Sequence, residues 1–150
     1  MDWSRGDHVV SDEPRRLDHA RIWRFLSQDS YWAGGIPEAT VEKALEHSLC
    51  FGLYRRGAQV GFARVVTDRA TFAYLCDVFV DAEARGEGLG EWLVSCVLEH
   101  PELQGLRRIC LMTRDAHGLY ERFGFRPMPD PARYLEIHRP GVYGDAGAAR

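Results

Sequence analysis

The chain has 150 residues, 45% of them hydrophobic, with 22 acidic and 19 basic side chains and a formal net charge of -3. That length suits one domain with its own core, and the hydrophobic fraction excludes wholesale disorder. No basic tract points to a nucleic-acid partner, no apolar run reaches membrane-spanning length, and no apolar signal segment opens the chain, so a cytoplasmic protein is expected.

In chain order, residues 1–6 are polar and read as loose, and His8 to Asp12 reads as a short edge strand. Leu17, Ile22, Phe25 and Leu26 give a first helix over 17–26, with Asp18 as a candidate N-cap. Residues 27–36 form a loop with adjacent aromatics, Tyr31 and Trp32, beside Gly34 and Gly35. Pro37 suits the first position of a second helix through Val41, Ala44 and Leu45. The pattern then changes to period two. Residues 49–55, 59–67 and 71–80 read as three strands of an antiparallel meander. The third is apolar on both faces, so it is expected to be central and covered on both sides, with Asp77 as its one charge.

Leu89, Trp92, Leu93, Cys96 and Val97 follow at helical spacing, and Pro101 stops that helix. Residues 107–112 read as a strand whose pairing across the helical crossover is parallel. Residues 115–123 read as a short helix ended by Gly124. Phe125-Arg126 and Tyr134 to Ile137 read as closing strands, and residues 141–150, rich in Gly and Ala, as a disordered tail after a single domain over 1–140. The order β-α-α-β-β-β-α-β-α-β-β is of α/β class, a mixed and mostly antiparallel sheet with helices on both faces. Cys50, Cys76, Cys96 and Cys110 lack metal-ligand spacing and read as small buried hydrophobes in a reducing compartment; no metal site is suggested.

The chain is organised around the turn between the third strand and the third helix, Arg85-Gly86-Glu87-Gly88-Leu89-Gly90. The first amides of a helix lack intrahelical partners, and the helix dipole is positive at that end. Glycines remove the Cβ atoms that would hold an anion off the backbone, and Arg85 adds a full positive charge. The turn therefore points to a bound phosphate or pyrophosphate. It has no Gly-Lys-Ser/Thr, and it misses the dinucleotide spacing G-x-G-x-x-G.

Arg85, Gly88 and Gly90 fit the pattern Arg/Gln-x-x-Gly-x-Gly/Ala, and this turn resembles the acyl-coenzyme A turn of the GNAT superfamily of N-acetyltransferases. Leu119-Tyr120-Glu121-Arg122-Phe123-Gly124-Phe125 is similar to the family's L-Y-x-x-x-G-F segment, in the same order and separation. Together the motifs cover the C-terminal half, and the element order is also that of the GNAT fold. The resemblance implies acetyl-coenzyme A as cofactor and direct transfer to a primary amine, on a small molecule or a protein. A catalytically silent acyl-coenzyme A sensor is the alternative. The backbone of Val78, Phe79 and Val80 would hold the pantetheine arm, and the amides of Arg85 to Gly90 the pyrophosphate. Tyr120 matches the family's general acid. A phenol of pKa about 10 can protonate a leaving thiolate of pKa about 8.5.

The acceptor must also lose a proton, for which Asp77, Tyr74 and Asp29 are candidates. Asp77 is equally a structural carboxylate. In the family the acceptor is chosen by the loop between the first two helices and by the last strands, which here means Tyr31 and Trp32, with Trp23 nearby. The sequence departs from the family at Thr113, where many members carry an asparagine that holds the pantetheine arm. Small domains of this type often pair, so a homodimer is a further expectation.

Overall fold

A computed structural model describes residues 1–144. Six strands form one sheet in the order β1-β2-β3-β4-β5-β6. They are β1 (Asp2–Arg5), β2 (His8–Ser11), β3 (Leu49–Arg55), β4 (Ala58–Thr67), β5 (Phe72–Val80) and β6 (Arg108–Leu111). All neighbours are antiparallel except β5 and β6. The helices are α1 (His19–Arg24), α2 (Glu38–Glu46), α3 (Leu89–Glu99) and α4 (His117–Glu121). The mixed sheet with helices on both faces is the α/β class expected.

Two cores follow from the alternation of the strands. Val10, Phe51, Leu53, Val65 and Leu75 point to one face, where Leu89, Leu93, Val94 and Val97 of α3 cover them. Cys50, Phe62 and Phe79 point to the other, under Ile22 of α1, Leu26 and Val41 and Leu45 of α2. Burying a side chain such as Leu93 contributes about 1.5–3 kcal/mol, so α3 is held by its stripe rather than by propensity. Asp18 caps α1 by accepting the Arg21 amide at 3.0 Å. The β4–β5 connection closes on Asp68, which accepts the amides of Ala70, Thr71 and Phe72.

Several expectations are corrected. Residues 2–5 are not loose but form β1, and this hairpin makes β2 an interior strand with Val10 and Ser11 fully buried. The first helix is shorter than 17–26, and it passes into one π-helical turn at Phe25–Asp29. Pro37 is the cap of α2 rather than its first residue. β5 is covered on both sides only in part: Ala73 and Leu75 are buried under α3 and Phe79 in the opposite core, whereas Phe72 is exposed and Tyr74, Cys76, Val78 and Val80 are half-buried. The helix expected over 115–123 holds only at His117–Glu121. The closing strands do not form: residues 125–126 and 134–137 have no ladder partner. The four cysteines are free; Cys50 and Cys96 are buried, Cys76 and Cys110 half-buried. Of the expected tail, residues 141–143 form a turn and 145–150 lie outside the described residues. Among the described residues no helix is long and apolar enough to cross a membrane.

Candidate active site

β5 ends at Val80, and one 3-10 turn, Ala82–Ala84, leads to Arg85. Gly86 and Gly88 then take φ of 88° and 72°. There a side chain costs roughly 1–2 kcal/mol, so glycine is required for the path of the chain. Gly88 caps α3 without a side chain, and the amides of residues 86–91 find no backbone acceptor among the described residues. Arg85 donates from Nε to the Val80 carbonyl at 3.0 Å, which folds its guanidinium back over the turn. Glu87, the acid in the turn, is neutralised by an ion pair with Arg55. Arg5 stands over Trp92 with its guanidinium carbon 5.7 Å from the ring centre. A cavity of about 290 Å³ opens here between Val80, Arg85, Gly86, Gly88, Gly90 and Leu119 of α4. Free amides, a helix start and a guanidinium around one cavity suit an anion. A second cavity, about 330 Å³ among Asp12, Leu17, Ser48, Cys50 and Arg69, contains none of the expected site residues.

The parallel pairing of β5 with β6 ends at Leu75 and Leu111. Cys76 to Val80 therefore have an open main chain on the β6 side, and Val78, Phe79 and Val80 fall in that stretch. On its other side β5 carries a bulge, where the register with β4 shifts between Phe62 and Arg64. Asp77 sits at this bulge with φ of 53°, a left-handed conformation that Asp tolerates better than most residues.

The bulge aims the Asp77 carboxylate out of the ladder. One oxygen accepts Trp32 Nε1 at 2.8 Å, and the other accepts Arg64 Nε at 2.7 Å. Arg64 also donates to the Ser48 hydroxyl at 3.0 Å. Both carboxylate oxygens are thus engaged, one by a neutral donor and one by a cation. Trp32 packs edge-on against Tyr31 at 5.0 Å and lies 6.1 Å from Phe25, which stacks on Phe79 at 3.9 Å. Arg114, from the β6–α4 loop, covers the Tyr31 ring at 3.8 Å from its centre. Tyr120 is buried on α4, edge-on to Phe125 at 5.8 Å. Burial pushes the Tyr120 phenol above its ordinary pKa, and the neighbouring Tyr31 phenol pushes the same way. Burial raises Tyr74 too, followed by Cys76, Cys110 and Asp77.

The structure thus joins Tyr31, Trp32 and Asp77 by direct contacts, while Tyr120 packs in the α3-side core with Phe125 and feels Tyr31 only through its charge, as Tyr74 feels Asp77. The other base candidate, Asp29, ends the π-turn and is exposed. Trp23 donates to the Ile36 carbonyl at 2.9 Å and fixes the loop from below. Sequence reasoning missed Arg64, Arg114 and Phe25. Arg64 left a signal: it is a lone cation in the apolar strand beside the strand whose lone charge is Asp77. Arg114 left none, since nothing local marks a loop arginine as a partner of Tyr31.

Residues 46–127 match the family model described as the acetyltransferase (GNAT) domain. An acetyltransferase candidate of Gibberella zeae is 38% identical over 80% of this chain and 79% of its own length. The crystal structure of a GNAT-family acetyltransferase candidate from Xanthomonas campestris pv. campestris shares 53% identity and a TM-score of 0.88, over 91% of this chain and 96% of that one. A more distant acetyltransferase candidate from Clostridium acetobutylicum, solved with acetyl-coenzyme A, shares the fold with a TM-score of 0.61 at 12% identity, over 87% of this chain and 94% of that one. With its sheet, glycine turn and L-Y-x-x-x-G-F segment, the chain belongs to the GNAT family of acetyltransferases.

Proposed function

We propose that the chain transfers an acetyl group from acetyl-coenzyme A to a primary amine, by direct attack within a ternary complex. The observation that carries this reading is the conjunction of the open amides at Gly86–Glu91 with the stretch Cys76–Val80, which pairs with β4 on one side and has no strand on its β6 side. The amides and Arg85 suit a pyrophosphate. The open edge of Val78, Phe79 and Val80 suits an extended arm that pairs as an added strand. When bound, acetyl-coenzyme A supplies an activated thioester carbonyl.

The amine approaches from the Tyr31–Trp32 side. Tyr120 acts as general acid and gives its phenolic proton to the departing thiolate. A phenol is protonated through neutral pH, as that role needs, and burial shifts Tyr120 further in the same direction. Asp77 is tied to Arg64 and holds Trp32 in place through the indole N–H, so it works as a positioning residue while the amine's proton leaves to water. A cytoplasmic setting suits the four free cysteines.

Thermal unfolding with acetyl-coenzyme A, free coenzyme A and ATP tests the cofactor. A ligand bound by the folded state alone adds about 2.7 kcal/mol at a hundredfold excess over Kd. A rise with both coenzyme A forms and none with ATP is expected, and no rise at millimolar acetyl-coenzyme A would refute the reading. Thiol release with a panel of amines then separates an enzyme from a silent binding module.

A further inference from the structure

Arg114 brings a charge to the acceptor side of the site that the chain leaves unanswered. Its guanidinium carbon stands 3.8 Å from the centre of the Tyr31 ring. That is too close for an N–H to aim at the ring, so the planar group lies along the ring face and its donors stay at the rim. Among the described residues Arg114 forms neither an ion pair nor a hydrogen bond, not even with the adjacent Asp115.

The other cation of this corner is engaged. Arg64 donates from Nε to Asp77 at 2.7 Å and from Nη1 to Ser48 at 3.0 Å. Asp77 is occupied in return, by Arg64 and by Trp32. Arg64 and Asp77 therefore cancel, which leaves Arg114 as the free cation beside the aromatic wall. That wall is Tyr31 and Trp32, both 43% exposed and edge-on at 5.0 Å, with Phe25 behind Trp32 at 6.1 Å. Tyr31 is also close enough to Tyr120 to act on its phenol through charge, so the Arg114–Tyr31 pair stands within electrostatic reach of the general acid.

We propose that Arg114 is a specificity-determining residue, and that the acceptor carries an anionic group, a carboxylate or a phosphate, on the same molecule as its amine. The inference rests on the transfer reaction proposed above and adds which amines enter it. A guanidinium fork matches either anion with two parallel hydrogen bonds. The anion docks on Arg114, the apolar body of the acceptor lies on Tyr31 and Trp32, and the amine is directed toward the open stretch of β5 at Cys76–Val80. Anchoring the acceptor away from its reacting nitrogen fixes the line of approach. An acceptor with a second ammonium in place of the anion, such as a polyamine, is repelled by the same guanidinium.

The test is thiol release with matched amines. Phenylalanine is set against phenethylamine, which lacks only the carboxylate, and tyramine phosphate against tyramine, which lacks only the phosphate. For at least one pair the wild type should favour the anionic member in kcat/KM, and Arg114→Gln should lower that preference by about tenfold, mainly through KM. Intrinsic differences within a pair cancel between wild type and variant. Arg114→Lys keeps the charge without the fork and should recover part of the preference. A response of the first pair identifies a carboxylate, and of the second a phosphate. If Arg114 only props Tyr31, both members of a pair weaken together and the ratio holds, which overturns the proposal. Arg114→Gln should also keep the wild-type rise in melting temperature with acetyl-coenzyme A; a lost rise would assign Arg114 to the cofactor and overturn the proposal too. A wild type that acetylates neither anionic amine overturns it as well. Turnover of phenethylamine, tyramine or spermidine in the same panel would then still support acetyl transfer to a primary amine, so the two failures are told apart.

Discussion

Gly88→Ala and Gly90→Ala should move stability in opposite directions, although the two glycines are two residues apart. At Gly88 φ is 72°, and an added Cβ finds space, with Arg5 Nη2 nearest at 3.9 Å. The cost is therefore conformational rather than steric. It is roughly 1–2 kcal/mol, less a few tenths regained because alanine restricts the unfolded chain. Gly90 lies inside α3 with an ordinary φ, and its Cβ would meet Val80 Cγ2 at 3.8 Å, a normal contact. There the change should gain about 0.4–1 kcal/mol. At this chain length 1 kcal/mol moves the melting temperature by about 2–4 °C. Thermal unfolding without ligand should thus place the Gly88 variant a few degrees below wild type and the Gly90 variant slightly above it. With acetyl-coenzyme A, the Gly90 variant should keep the wild-type increment, and the Gly88 variant should lose part of it because its cap amides move. A Gly88→Ala protein that melts at or above wild type would show that the left-handed cap is not required, and the geometric account of the turn would fail.

Other parts of the site are as accessible to measurement. Tyr120→Phe should lower turnover by about a hundredfold or more while leaving cofactor affinity unchanged, as read by thiol release and titration; equal turnover would remove Tyr120 from the chemistry. Arg64→Ala leaves the Asp77 carboxylate, with only 10% of its side chain exposed, without its counter-ion. That should cost about 1.5–3 kcal/mol in urea unfolding and raise the acceptor KM as Trp32 loosens. A variant as stable as wild type would contradict the pairing. Burial pushes Cys50 from 9.0 and Tyr54 from 10.0 up to about 12, so both are held neutral in the fold. The unfolded chain releases these protons first, so this stability is intact below pH 9 and drains as pH rises toward 12. A melting temperature that stays level from pH 8 to 11 would contradict that burial.

What could be read in the sequence was what is local. The glycine turn needs φ values that few residues other than glycine adopt, and α3 announces its buried stripe at Leu89, Leu93, Cys96 and Val97, so both were legible. Asp77 was visible as an odd charge, but its role depends on a bulge, and a bulge is a property of the register between two strands rather than of either one. Residues 2–5 gave no alternation because β1 lies at an edge, and only Trp3 of its side chains reaches the core.

The 134–137 segment is the instructive disagreement. Its composition favours a strand, and β-propensity is a statement about fitting a pleated, half-buried surface. Among the described residues no strand pairs with it, so its apolar side chains stay wet. Exposed Leu135 and Ile137, a half-covered Val66–Tyr74–Cys110 strip and a β6 with no strand on its outer edge are the places where pattern and burial part company among the described residues.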